Sequence, residues 1–209
     1  YEDIFVFTAE TGAVTRVSVS SGGTQANRTS RNPSISGDGR YVAFDSEASN
    51  LVTGDTNSVI DIFVYDLDTE TIERVSIDDG GDEGNNHSQY PSISDDGRYV
   101  VFQSAATNLV ASDTNNLIDI FLHDRNTDTT TRLSLDTADG ESHRHSRYPA
   151  ISRDRQYVTL SSVATHLVAG DTNSVSDVFL RDLNTDTTTR VSVHTDGTES
   201  DGLSTHQSI

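Results

Sequence analysis

Short apolar runs alternate with polar stretches rich in Asp, Asn, Thr and Gly along the whole chain. Tyr41-Val42-Ala43-Phe44 and Asp61-Ile62-Phe63-Val64-Tyr65 are two such runs. Runs this short, built from β-branched and aromatic residues, predict strands, and nothing sustains a helical period. Pro33-Ser34-Ile35-Ser36 predicts a strand ahead of Tyr41, reached through Gly37-Asp38-Gly39-Arg40. An Asp-Gly pair between two apolar runs is the turn chemistry of a tight hairpin. Ile72-Glu73-Arg74-Val75-Ser76 predicts a fourth strand, joined to the third by the Asx- and Thr-rich turn Asp66–Thr71.

The set of four recurs. Arg16, Arg74, Arg132 and Arg190 stand 58 residues apart, as do Tyr41, Tyr99 and Tyr157 and the only three prolines, Pro33, Pro91 and Pro149. Four strands per unit without a helix predict propeller blades, since a single blade cannot bury both of its faces. The fold class expected is therefore all-β: a β-propeller of four-stranded antiparallel blades, with three complete 58-residue repeats plus two partial ones. Residues 1–209 form one domain, with 1–32 the end of a blade, 33–90, 91–148 and 149–206 full repeats, and 207–209 the start of the next. Val42, Phe44, Ile62, Phe63 and Val64 are expected to pack partly within a blade and partly against its neighbours. An ordinary β-sandwich is the competing fold, and the fixed register argues against it.

The motif Pro33-Ser34-Ile35-Ser36-x-Asp38-Gly39-Arg40-Tyr41-Val42-x-Phe44, then Asp61-Ile62-Phe63-x-x-Asp66, then Arg74-Val75-Ser76, resembles the TolB-type, WD-like propeller repeat. The resemblance covers essentially the whole chain and implies the propeller fold. It says little of function, since such propellers serve as scaffolds, binding modules and companions of enzymes. The expanded Asp-Thr-Asn loop resembles that of exported calcium-binding propellers, which implies calcium and an extracellular or cell-surface location. The third unit departs from the pattern: Asp154-Arg155 replaces Asp-Gly, and Leu160 replaces the Phe of the second strand.

Composition narrows the function classes. Asp and Glu number 33 against 14 basic residues, all of them Arg, for a formal charge of -19. Such a field repels phosphate backbones, so no nucleic-acid partner is expected, and it favours cations. No Cys is present, which removes disulfide and thiolate chemistry. No run approaches the roughly 18 apolar residues of a membrane-spanning helix. The lack of any Met implies a processed product or a segment of a longer chain. Tyr1 is in phase with Val59 and Ile209 with Ile35, so the chain opens at a third strand and ends in a first. Two expectations follow: a window cut from a longer propeller, or self-association in which a second copy completes the open blade by strand addition.

The candidate metal ligands are the alternate positions of one repeated loop. These are Asp55, Asn57, Val59 and Asp61, then Asp113, Asn115, Leu117 and Asp119, then Asp171, Asn173, Val175 and Asp177. Carboxylate, amide oxygen, backbone carbonyl and carboxylate at every second residue match the first half of an EF-hand loop, which points to Ca2+. Asn50 and Asn108 are candidate further ligands, with His166 at the same place in the third unit. The alternative is that Asp and Asn make Asx-turns ahead of a strand. Magnesium demands stricter geometry, and no His or Cys recurs in register for zinc. Calcium held with a dissociation constant of roughly 0.1–1 mM would stabilise each loop by about 0.4–1.4 kcal/mol at millimolar calcium.

Other features are weaker. The loops Ser20–Asn32, Asp78–Tyr90 and Asp136–Tyr148 differ between units and suit a glycan or protein ligand. His143-Arg144-His145 occurs once. Asn27-Arg28-Thr29 and Asn86-His87-Ser88 match glycosylation acceptors. No nucleophile elbow, His-Glu-x-x-His or phosphate loop occurs, so no enzyme is expected. Arg74 and its equivalents are expected to pair with acids across blades. The functional expectation is a non-enzymatic extracellular calcium-binding propeller, structural, adhesive or self-assembling. The alternative is a glycan- or peptide-binding module of a larger secreted enzyme or receptor.

Overall fold

A computed structural model describes residues 1–209 except Thr137, Asp139 and His206. Fourteen strands and no helix are present among the described residues. The first two, β1 (Phe5–Thr8) and β2 (Ala13–Arg16), form a two-stranded sheet. Three four-stranded sheets follow, each antiparallel and each in chain order. The first has β3 (Ser30–Ile35), β4 (Tyr41–Ser46), β5 (Asp61–Asp66) and β6 (Thr71–Arg74). The second has β7 (Ser88–Ile93), β8 (Tyr99–Ser104), β9 (Asp119–Asp124) and β10 (Thr129–Arg132). The third has β11 (Ser146–Ile151), β12 (Tyr157–Ser162), β13 (Asp177–Asp182) and β14 (Thr187–Arg190). The three four-stranded blades expected from the repeat are in place.

Strand alternation decides how blades stack. Val42, Phe44, Phe63 and Tyr65 turn to the preceding sheet, where Ile4 and Val17 meet them. Ala43, Ile62 and Val64 turn the other way, onto Val100, Phe102 and Phe121 of the next blade. The pattern repeats one blade on, where Val101, Ile120 and Leu122 meet Val158, Leu160 and Phe179. Leu160 therefore fills the place of the second-strand Phe and is 1% exposed. Phe5 and Phe7, in phase with Phe63 and Tyr65, are 54% and 65% exposed.

Each first strand starts about three residues earlier than its sequence pattern suggests. The register slips between Arg31 and Ser34, and again between Gln89 and Ser92 and between Arg147 and Ala150. The slip is a bulge that holds the proline, which has no N–H for the ladder. The residue before each proline takes a positive φ: 51° at Asn32, 55° at Tyr90 and 53° at Tyr148. Such a backbone costs of order 1–3 kcal/mol at a bulky residue and persists only where neighbours enforce it. Here the preceding blade enforces it. Asp45 Oδ2 accepts from Tyr90 N at 3.0 Å, and Gln103 Oε1 accepts from Tyr148 N at 3.1 Å.

Candidate functional site

The repeated loop runs from the end of β4 into β5, and its geometry is set by short polar side chains. Asn57 Oδ1 accepts the Val59 N–H at 3.1 Å, an Asx-turn, while Ser58 takes a φ of 58°. The Asn57 amide donates to Asp61 Oδ2 and to the Gly84 carbonyl, both at 2.9 Å. Asn115 makes the same turn with Leu117 N at 2.7 Å and the same bridge to Asp119 at 2.8 Å. Asn173 turns onto Val175 N at 3.0 Å. The loop then delivers Asp61, Asp119 or Asp177 as the first residue of a third strand, fully buried in each case.

A buried carboxylate needs partners, and a serine hydroxyl and an arginine supply them. Ser76 Oγ donates to Asp61 Oδ1 at 2.5 Å and accepts Ile62 N at 3.1 Å; Ser134 does the same for Asp119 and Ile120. Ser192 donates to Asp177 in the third unit. The charge is answered by arginine. Arg74 Nη1 lies 3.7 Å from Asp55, 3.7 Å from Asp61 and 2.8 Å from Glu83. Arg132 lies 3.3 Å from Asp113 and 2.7 Å from Glu141, and Arg190 lies 3.3, 3.8 and 2.8 Å from Asp171, Asp177 and Glu199. Every one of these partners belongs to the arginine's own repeat, so the expected cross-blade pairing is not what is found. Cross-blade arginine contacts exist elsewhere: Arg155 pairs with Asp96 at 3.0 Å, and Arg125 pairs with Glu73.

Glu83, Glu141 and Glu199 reach the site because the connection after each blade folds back on itself. Bridges Ile77–Glu83, Leu135–Glu141 and Val193–Glu199 close this small hairpin. Glu83 also accepts from the Thr56 backbone N–H at 3.0 Å, and Glu141 from Thr114 N and Oγ1, both at 2.6 Å. One glutamate thus ties the acidic loop, the fourth strand and the connecting hairpin together. These glutamates and the serines were missed from sequence, although both recur at the 58-residue spacing.

Burial dominates the electrostatics. Desolvation, then the charge of Asp61, pushes Asp55 up to about 6 against the opposing pull of Arg74. Burial likewise raises Asp61, Asp113, Asp119 and Asp171. Glu141 and Glu199 go down to about 2, held by hydrogen bonds from Thr114 and Thr172 and then by arginine. The two sets act in opposite senses. Asp55 binds a proton more readily folded than unfolded, so it stabilises fully below the unfolded carboxylate range and this is lost as pH rises through 6. Glu141 and Glu199 stabilise above the unfolded range and lose this as pH falls toward 2. The melting temperature is therefore expected to rise from pH 7.5 to about 5 and to fall below about 4. Asp55→Asn should shrink the rise, checked by melting curves across pH.

Calcium needs six to eight oxygens around one point. Asp55 and Asp61 do converge, but on a guanidinium nitrogen. Asn57 and Asn115 turn their amide nitrogen, not their oxygen, toward the carboxylate. Asn50 and Asn108 bind the loop ahead of the first strand: Asn50 Oδ1 accepts Asn27 N at 2.9 Å, and Asn108 Oδ1 accepts Asn85 N at 2.8 Å. His166 Nε2 lies 3.2 Å from the Glu141 carbonyl. Among the described residues no group of three or more acidic or His side chains is arranged to hold a metal ion. As the side chains stand, the cluster fits an internal arginine and not a calcium shell.

No family profile matches the chain, and no curated protein matches it. Solved structures do. The crystal structure of TolB from Acinetobacter baumannii superimposes with a TM-score of 0.55 at 19% identity, over 90% of this chain and 37% of that one. This chain has a TolB-like β-propeller fold. A structure described as oligogalacturonate lyase in complex with manganese gives 0.56 at 10% identity, over 91% of this chain and 47% of that one. A prolyl endopeptidase gives 0.54 at 15% identity, over 89% of this chain and 25% of that one. The TolB-like chain thus spans less than half the length of each of these propeller proteins, which include both enzymes and TolB.

Proposed function

We propose that the chain is a non-catalytic propeller module in which arginine locks each acidic loop to the fourth strand of its own blade and to the hairpin that leads into the next. The observation that carries this reading is the threefold recurrence of one buried cluster: Asp55–Arg74–Glu83, Asp113–Arg132–Glu141 and Asp171–Arg190–Glu199. A reaction centre works on one substrate with one set of groups and so breaks repeat symmetry. A fastening recurs with the repeat. The catalytic activities named for the similar propellers remain those proteins' own.

Calcium is the second reading, and one observation favours it. Both carboxylate oxygens of Asp113, Asp171 Oδ1 and Asp177 Oδ2 are buried without a hydrogen bond, and each cluster carries three carboxylates for one guanidinium. A divalent ion bound there would require the guanidinium to move aside and the asparagine amide to turn over. Thermal melts of the purified chain with excess chelator, with millimolar calcium and with millimolar magnesium separate the two. An unchanged midpoint in all three supports arginine alone. A fall of several degrees in chelator, restored by calcium and not by magnesium, sinks the arginine lock as sufficient and establishes calcium.

A further inference from the structure

The first strands of successive blades, β3, β7 and β11, lie next to one another. Their bulges set Asn32, Tyr90 and Tyr148 around one open cavity of about 320 Å3, completed by the three prolines and Gln207. The two tyrosine rings meet edge to face, with centroids 5.3 Å apart. No charged side chain lines the cavity, although charged residues make up 22% of the chain.

The tyrosines sit where a tyrosine is poorly suited to the backbone. A positive φ is tolerated by asparagine, as at Asn32, and is an outlier for a bulky side chain. A following proline narrows the choice of the preceding residue further. Folding alone would favour asparagine in all three units, yet two carry an aromatic ring facing a shared hollow. Strain kept in place by neighbours is characteristic of binding positions.

We propose that this cavity binds a neutral pyranose ring of a glycan. A sugar ring offers an apolar C–H face to an aromatic ring and a rim of hydroxyls. Asn32 Nδ2 already donates to Asp45 Oδ2 at 2.8 Å, and Gln207 already donates to the Tyr148 carbonyl and accepts from Ser161 Oγ at 2.6 Å, so each carboxamide is held in place and offers such a rim its second N–H and spare lone pairs. The absence of charge from the lining suits an uncharged ligand inside an otherwise acidic protein. A proline-rich peptide would instead need an aromatic-lined groove. Here the tyrosines cross at 75°, and the prolines belong to the wall.

The test is saturation-transfer NMR and calorimetry on the whole chain, using maltotriose, cellotriose, xylotriose and chitotriose, with trigalacturonate and a polyproline peptide as competitors of other chemistry. Tyr90→Asn and Tyr148→Asn install the residue that the first unit already carries, so they are compatible with the bulge. Binding of at least one neutral trisaccharide is expected. Its Kd should weaken about tenfold or more in either Asn variant and be kept in Tyr90→Phe. The melting temperature of the Asn variants should stay level or rise. The proposal is overturned if no neutral trisaccharide binds at millimolar concentration, or if only trigalacturonate or polyproline binds. It is equally overturned if binding survives both Asn variants, which would leave the tyrosines as a packing pair.

Discussion

Replacing Arg132 by Met is expected to cost the folded chain about 3–5 kcal/mol, measured as the free energy of unfolding in urea. The side chain of Arg132 is 5% exposed, and Nη1 is the cation facing Asp113 and Glu141. Methionine keeps an unbranched apolar stem, so the loss reports charge more than packing. What remains is a set of acids, Asp113 and Asp119 among them, buried with nothing positive to answer them. The companion variant Arg132→Met/Asp113→Asn should recover part of the loss, because one stranded charge is gone. A single-variant cost below about 1 kcal/mol would show that the cluster behaves as an exposed ion pair and locks nothing.

Phe121→Ala should cost about 3–5 kcal/mol as well, for a different reason. Phe121 is fully buried in the middle of β9, with its ring 6.1 Å from that of Phe102. Together they fill the layer against Ile62 and Val64 of the preceding blade. Removing the ring opens a cavity in that layer alone, and blades contact mainly their neighbours. Amide hydrogen exchange should therefore accelerate in β5, β8 and β9 while β12 keeps more of its protection. Equal loss of protection in all three blades would show instead that the array opens as a single unit.

Most of the fold could be read before any coordinate was known, because the repeat is phased without a slip. Pro33, Tyr41 and Arg74 with their copies fixed the unit, and alternation within Val42–Phe44 and Ile62–Val64 gave two faces to bury. The start of the first strand was harder to see. A bulge at Asn32–Pro33 lets the strand continue through a proline, and no local pattern announces it. The site was half legible. Asp55 and Asp61 stand in the sequence as candidate calcium ligands at alternate positions of one loop, with an Asx-turn at Asn57 as the alternative. Arg74 is expected from the sequence to pair across blades but pairs within its own repeat, because its place depends on strand register. β5 and β6 pair Phe63 with Arg74, which puts Ser76 and Arg74 beside Asp61. Glu83, nine residues past the end of β6, reaches the site only through the hairpin closed by Ile77 and Glu83, and in the sequence only its phase marks it.

The hydrogen bonds from Asp45 to Tyr90 N and from Gln103 to Tyr148 N give the array a direction. Asp45 on β4 and Gln103 on β8 each fasten the inner strand of the blade that follows. Each clasp is therefore split between two blades, with its acceptor on one and its N–H donor on the next. Exchange of whole blades cut at their connecting loops would separate each clasp from the strand it holds. Exchange of segments cut midway through two consecutive blades would carry clasp and strand together. Recombination among such repeats should succeed most often at those mid-blade seams, where the coding unit and the visible structural unit are out of step.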